Sequence, residues 1–179
     1  MQFLETKLKG TYIIDPDCVE DERGFFARSF CKQEFERRGL CNEFVQCSIS
    51  FNLLKGTLRG IHYQSPPQEE TKLIRCTMGT IYDVIVDLRP HSKTLKEWIG
   101  VELSAHNRRM LYVPHGFAHG FMTLADSSEV FYQISPAYVP SSAKGLRWDD
   151  PALSIEWPGH PVMISERDKT FPLLTAQTE

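Results

Sequence analysis

The chain has 179 residues, 41% of them hydrophobic, enough for one domain with a continuous core and too few for two ordinary domains. A formal charge of −3, from 20 Lys and Arg against 23 Asp and Glu, argues against a nucleic-acid partner, although a cleft could still be locally basic. The 5 cysteines are odd in number, lack a Cys-x-x-Cys pair and read as reduced thiols; the start carries no basic region followed by an apolar run, and no stretch approaches a membrane span, so a soluble cytoplasmic protein is expected.

Gly10 to Ile14 reads as a short strand, followed by a polar turn from Asp15 to Gly24 and an extended stretch from Phe25 to Phe30, whose Phe25 and Phe26 are expected to anchor that edge. Lys32 to Arg38 is the best helix candidate, with Phe35 facing inward and Gly39 placed to end it. Strand-length segments then recur at Glu43 to Ser50, Gly56 to Tyr63, Thr71 to Thr77, Thr80 to Leu88, Glu97 to Leu103, Arg109 to Val113, Gly120 to Leu124 and Ser128 to Ser135, separated by Gly, Pro, Asn and Asp turns. This spacing favours a sandwich or barrel over βαβ units. The Pro-rich end, Pro151 to Pro172, is dotted with apolar residues and is expected to wrap the same domain; Ala176 to Glu179 are expected to fray.

Arg59-Gly60-Ile61-His62 and Pro114-His115-Gly116-Phe117-Ala118-His119 together suggest proton chemistry on a bound anion. In a regular strand Leu58, Gly60 and His62 share one face and Thr57, Arg59 and Ile61 the other, which separates Arg59 from His62. A bulge at Gly60 would bring them to one pocket; otherwise His62 is a hydrogen-bonded sheet residue. Lys72 is either the solvent end of a half-buried strand or an ammonium over a cavity. Asp83 interrupts an apolar run and needs a partner, with Arg59 and Lys72 the candidates, unless it lies on an edge. Tyr132 shares a face with Val130 and Ile134 and is a core tyrosine unless His62 faces it across a cavity. Asp168, in the helical turn Ile164 to Asp168, is a surface cap or a carboxylate folding back to orient His62.

Asp21-Glu22-Arg23-Gly24-Phe25-Phe26, Leu58-Arg59-Gly60-Ile61-His62, Pro114-x-Gly116-Phe117-Ala118-His119-Gly120-Phe121 and Ser165-x-x-Asp168 resemble, in the right order, the nucleotide-sugar 3,5-epimerase family typified by dTDP-4-dehydrorhamnose 3,5-epimerase. The likeness runs from about Thr11 to Pro172. It implies an all-β, cupin-type jelly roll (a double-stranded β-helix with short peripheral helices), spanning 1–179 as a single RmlC-like domain with its C-terminal segment packed on the barrel. It further implies a homodimer, a nucleotide-diphospho-4-keto-6-deoxy sugar as substrate, and a mechanism with neither metal nor other cofactor. Tyr63 and Gln64 stand after His62 where a metal-binding cupin would carry a second histidine.

Carried over residue by residue, His62 resembles the base that removes a proton beside the C4 ketone, Asp168 its orienting partner, Tyr132 the acid on the opposite face and Lys72 the cation that stabilises the enolate. Arg59 and His119 resemble residues around the diphosphate and sugar, and Arg23 one donated by the partner subunit. Phe26, Arg28, Gln46, Ser48, Asp83 and Tyr138 complete the implied substrate-binding set. The chain departs from the family pattern at Arg28, at Cys47-Ser48-Ile49, at His115 and at Gln133, which leaves the nucleobase, the sugar and the number of inverted centres open. The other readings are an epimerase acting at one centre of a UDP- or CDP-linked sugar, a cupin ketoisomerase and a non-catalytic nucleotide-sugar binding module.

Overall fold

A computed structural model of the chain describes residues 1–174, so the expected fraying of Ala176 to Glu179 lies outside the described residues. The elements in chain order are β1 (Gln2–Glu5), β2 (Tyr12–Asp15), β3 (Cys18–Asp21), β4 (Gly24–Ala27), α1 (Lys32–Glu36), β5 (Gln46–Asn52), β6 (Thr57–Gln64), β7 (Thr71–Met78), β8 (Thr80–Asp87), β9 (Trp98–Ser104), β10 (Met110–Val113), β11 (Phe117–Thr123), β12 (Ser128–Ser135), β13 (Ala143–Gly145), β14 (Met163–Ile164) and α2 (Glu166–Lys169). One sheet runs β1-β2-β10-β7-β12-β5; the second runs β13-β6-β11-β8-β9, with β14 parallel to β6. The two sheets form the cupin-type jelly roll that the family resemblance implies, within the sandwich or barrel class that the strand spacing favours. Among the described residues no helix is long and apolar enough to cross a membrane.

The core between the sheets is filled from both sides. Ile74, Cys76, Leu111, Val113 and Val130 of the first sheet meet Ile81, Ile85, Val101, Leu103, Phe117 and Phe121 of the second. Each is at most 7% exposed, and burying a side chain of this kind stabilises by about 1.5–3 kcal/mol. The outer face of the second sheet is apolar too. Ile61, Val84, Val86 and Ala118 are covered by Leu146, Leu153, Leu174 and Trp157, which come from the C-terminal segment. This is why β8 reads as an unbroken apolar run around Asp83.

The helix expectation holds in its essentials. Phe35 is fully buried against Phe3, Phe30, Phe44 and Tyr112, and Gly39, at φ 67°, turns the chain so that Leu40 N–H donates to Phe35 O. Two expectations fail. The stretch Asp15 to Gly24 is more than a turn, because β3 pairs with β4 as a separate two-stranded ribbon. Phe25 and Phe26 anchor no core: they are 48% and 76% exposed on that ribbon, and the Arg108 guanidinium lies 3.9 Å from the Phe25 ring.

Candidate active site

Where the apolar filling of the sandwich ends, a cavity of about 340 Å³ opens between the sheets. Ser48, Ser50, Lys72, Tyr132 and Ile134 wall it from the first sheet; Arg59, His62, Gln64, His119 and Phe121 wall it from the second. Lys144, Arg167, Tyr138 and Glu70 complete the rim. Four of its charged groups are cationic and one is acidic, so the cavity is locally basic in a chain of net negative charge.

The arrangement depends on a β-bulge. His119 on β11 registers with His62 on β6, but Phe121, two residues on, registers with Arg59, three residues back. The extra residue resets the alternation, so Arg59 and His62 both line the cavity while Ile61 turns into the outer apolar cluster. Gly60 makes this possible: its φ is 126°, and a Cβ there would lie 2.5 Å from Gly120 Cα. The bulge frees the Gly60 N–H from the ladder, and Asp168 Oδ2 accepts it at 3.1 Å.

The same carboxylate holds the base candidate. Asp168 Oδ1 lies 2.8 Å from His62 Nε2, across a separation of 106 residues. Ser165 caps α2 by accepting the Asp168 N–H at 3.1 Å, which fixes where the carboxylate stands. Burial pushes the Asp168 carboxyl up, but the hydrogen bond and charge of His62, with the Gly60 and Ser165 contacts, outweigh it and hold it below the usual carboxylate range. An ionised acceptor at Nε2 puts the ring proton there and leaves the Nδ1 lone pair to accept. Phe171 packs edge-on to the His62 ring, 5.8 Å between centroids, in space that Gly145 leaves open.

On the opposite wall Tyr132 follows the expected alternation, facing inward with Val130 and Ile134. Burial and the negative charge of Asp83 drive its phenol well above the ordinary value, so it stays protonated at any working pH. Its ring stands edge-on to His119 at 6.1 Å.

Asp83 does not pair with Arg59 or Lys72, as expected, nor does it wall the cavity as a substrate-binding residue. It is wholly buried on β8, between β11 and β9, with Oδ1 2.6 Å from His119 Nε2 and with Oδ2 making no hydrogen bond. Arg59 instead donates to Asn52 Oδ1 at 2.7 Å and Phe51 O at 3.3 Å. Lys72 pairs with Glu70 at 2.7 Å, both side chains nearly buried.

Gln46 stands off the wall, where its Oε1 accepts the backbone N–H of Tyr138 at 2.8 Å and steadies that rim residue. Arg23, Phe26 and Arg28 are not brought to the cavity of their own chain; they sit on or beside the exposed β3–β4 ribbon. Sequence reasoning missed Glu70, Lys144, Arg167 and Phe171. Arg167 lay inside the Ser165-x-x-Asp168 block, but Glu70 sits in a polar run, Gln68-Glu69-Glu70, that gives no sign of which member turns inward. Among the described residues no group of three or more His, Cys, Asp and Glu gathers as a metal ligand set.

Residues 5–176 match the family model described as dTDP-4-dehydrorhamnose 3,5-epimerase. The chain is 42% identical, over 169 residues, to dTDP-4-dehydrorhamnose 3,5-epimerase of Shigella flexneri, covering 94% of this chain and 93% of that one. The crystal structure of dTDP-4-dehydrorhamnose 3,5-epimerase from Bacillus anthracis with TDP and PPi bound superposes with a TM-score of 0.94 at 42% identity, covering 97% of this chain and 99% of that one. The Legionella pneumophila dTDP-6-deoxy-D-glucose-3,5-epimerase in complex with dTDP-4-keto-L-rhamnose has a TM-score of 0.92 at 39% identity, with 97% and 93% covered.

Proposed function

The chain belongs to the dTDP-4-dehydrorhamnose 3,5-epimerase family, and from that premise we propose that it epimerises a nucleotide-diphospho-4-keto-6-deoxy sugar, dTDP-4-dehydro-6-deoxy-D-glucose, at C3 and C5. The observation that carries this reading is the meeting of the His62–Asp168 pair and the Tyr132 phenol as walls of one cavity, from opposite sheets.

His62 removes the proton on the carbon next to the ketone through Nδ1, and the electrons of that C–H bond move into the carbonyl to give an enolate. The imidazolium so formed is stabilised by ionised Asp168 at 2.8 Å. The Lys72 ammonium, held in place by Glu70, compensates the charge on the enolate oxygen, and loss of such a group costs about 3–4 kcal/mol, roughly 10² to 10³ in rate. Tyr132 then donates its phenolic proton to the other face of the carbon, inverting it; its raised pKa keeps that proton in place until the enolate forms. A single base returning its proton to the original face would regenerate the substrate. Arg59, Lys144 and Arg167 supply positive charge for the diphosphate.

The enzyme works as a homodimer in which the β3–β4 ribbon of one protomer serves the cavity of its partner. Support comes from the ribbon itself, which pairs with neither large sheet and exposes Phe25 and Phe26, and from the distance of Arg23, Phe26 and Arg28 from their own cavity. The test is incubation of the purified protein with dTDP-, UDP- and CDP-linked 4-keto-6-deoxy sugars in deuterated water, followed by NMR. Exchange at C3 and C5 of the dTDP sugar, with inverted configuration and a retained C4 ketone, supports the reading. Tight binding without exchange, or migration of the carbonyl, overturns it.

A further inference from the structure

Arg59 is gripped along one edge of its guanidinium. Its Nε donates to Asn52 Oδ1 at 2.7 Å and its Nη2 to Phe51 O at 3.3 Å, both acceptors belonging to β5. Arg23, Arg89 and Arg147 are held through the same Nε and Nη2 edge, but each by a carboxylate, of Asp21, Asp87 and Asp149 respectively. Their charge is compensated by that neighbour. Arg59 is held instead by an amide and a carbonyl, and among the described residues it makes no ion pair, so its charge stays uncompensated at the cavity it walls.

Asn52 is suited to this task by its own surroundings. It is 2% exposed at the end of β5, and its Nδ2 donates to Ser50 O at 3.2 Å and to Ser128 O at 3.1 Å. Carbonyls can only accept, so the amide nitrogen must face them and Oδ1 must face the guanidinium. A buried amide with its donors and its acceptor all engaged is stiff. Arg59 is long and exposed, and untethered it would sample many rotamers at the cavity wall. The bonded edge leaves Nη1 and the outer N–H of Nη2, the end-on fork, free to donate to a pair of phosphate oxygens. An aspartate at this position would grip Arg59 as firmly but cancel its charge, and would face the Ser50 and Ser128 carbonyls with no donor.

We propose that Asn52 is a positioning residue for substrate binding: it fixes the Arg59 guanidinium at the cavity wall with its charge intact and its end-on fork turned to the diphosphate. This rests on the proposed function, in which Arg59 supplies charge for that group. Because the diphosphate lies apart from the reacting carbons, Asn52 acts on binding more than on turnover.

The test is a double-mutant cycle on dTDP binding, measured by calorimetry on wild type, Asn52→Ala, Arg59→Ala and the double variant, with KM and kcat for the dTDP sugar determined beside it. Releasing one long side chain should weaken dTDP binding and raise KM by roughly 3- to 10-fold, with kcat within about 2-fold of wild type. In the Arg59→Ala background the same Asn52 substitution should change dTDP affinity by less than about 2-fold, because a residue that acts through Arg59 has nothing left to position. An Asn52 that only stabilises the fold would lose affinity equally in both backgrounds, and that result overturns the proposal. So does an Asn52→Ala variant that binds dTDP as tightly as a wild type that itself binds and epimerises. A wild type that binds no dTDP overturns the proposed function and this inference with it. Where Asn52→Ala does not fold, Asn52→Ser, whose side chain is shorter but still polar, carries the same cycle.

Discussion

Asp83 and Asp87 stand four residues apart on β8, both with no exposed surface, and their surroundings could hardly differ more. Asp87 is saturated: the Arg89 backbone N–H donates at 3.0 Å, the Arg89 guanidinium at 2.9 and 2.7 Å, Ser92 Oγ at 2.6 Å and Thr94 Oγ1 at 2.7 Å. Asp83 has one partner, His119, and an oxygen with none. The saturated carboxylate closes the loop between β8 and β9 and faces no substrate cavity. The under-saturated one stands behind a cavity wall and raises the proton affinity of Tyr132. Asp83 therefore holds His119 in the cavity wall while one of its own oxygens goes without a partner, and the variants below ask whether that arrangement serves catalysis.

Variants can break this contrast. Removal of Asp87 (Asp87→Ala) should cost roughly 3–5 kcal/mol in denaturant unfolding, because Arg89 loses its paired charge, while turnover per folded molecule stays near wild type. An Asp83→Asn variant with an equal stability loss would erase the distinction. On the cavity side, His62→Asn should lower kcat by roughly 10² to 10⁴ with little change in melting temperature, and a variant that retains turnover would remove His62 from the base role. Asp83→Asn itself, which keeps an acceptor for His119 but removes the buried negative charge, should lower turnover by roughly 10-fold, the size expected when a charged hydrogen bond becomes a neutral one.

The smallest effect is on acid stability. Burial pushes the Asp87 carboxyl up, but Arg89, Ser92 and Thr94 outweigh it and bring it from 3.8 to about 2. A folded pKa below the unfolded one means that the stabilisation, about 2 kcal/mol, is fully present above pH 4 and lost as pH falls through 2. Unfolding measured across that window should show the loss in wild type and not in Asp87→Asn.

Much of this architecture is legible without coordinates. Val130, Tyr132 and Ile134 alternate as a half-buried strand must, Phe35 and Gly39 place and end the one clear helix, and four motif blocks name the family. Other positions carry misleading local signals. In β5, Cys47-Ser48-Ile49-Ser50-Phe51, alternation would bury Ile49 and Phe51, yet both are exposed and the serines face the cavity. Polar residues on this strand face the cavity rather than a packed core, and pattern rules that assume a filled interior read it backwards.

The sequence by itself determined the strand-rich class, the family and the identity of His62, Asp168, Tyr132 and Lys72 as the set to examine. Tertiary structure alone decided that Arg59 and His62 share a wall, because the phase of β6 is reset by a bulge whose freed N–H is satisfied by a carboxylate 108 residues away. It also decided that Asp83 belongs to His119 and Lys72 to Glu70. Alternation and motif spacing are local properties of a chain; which charge meets which is settled where distant strands are packed into register, and there the partner with the right reach and dehydration prevails.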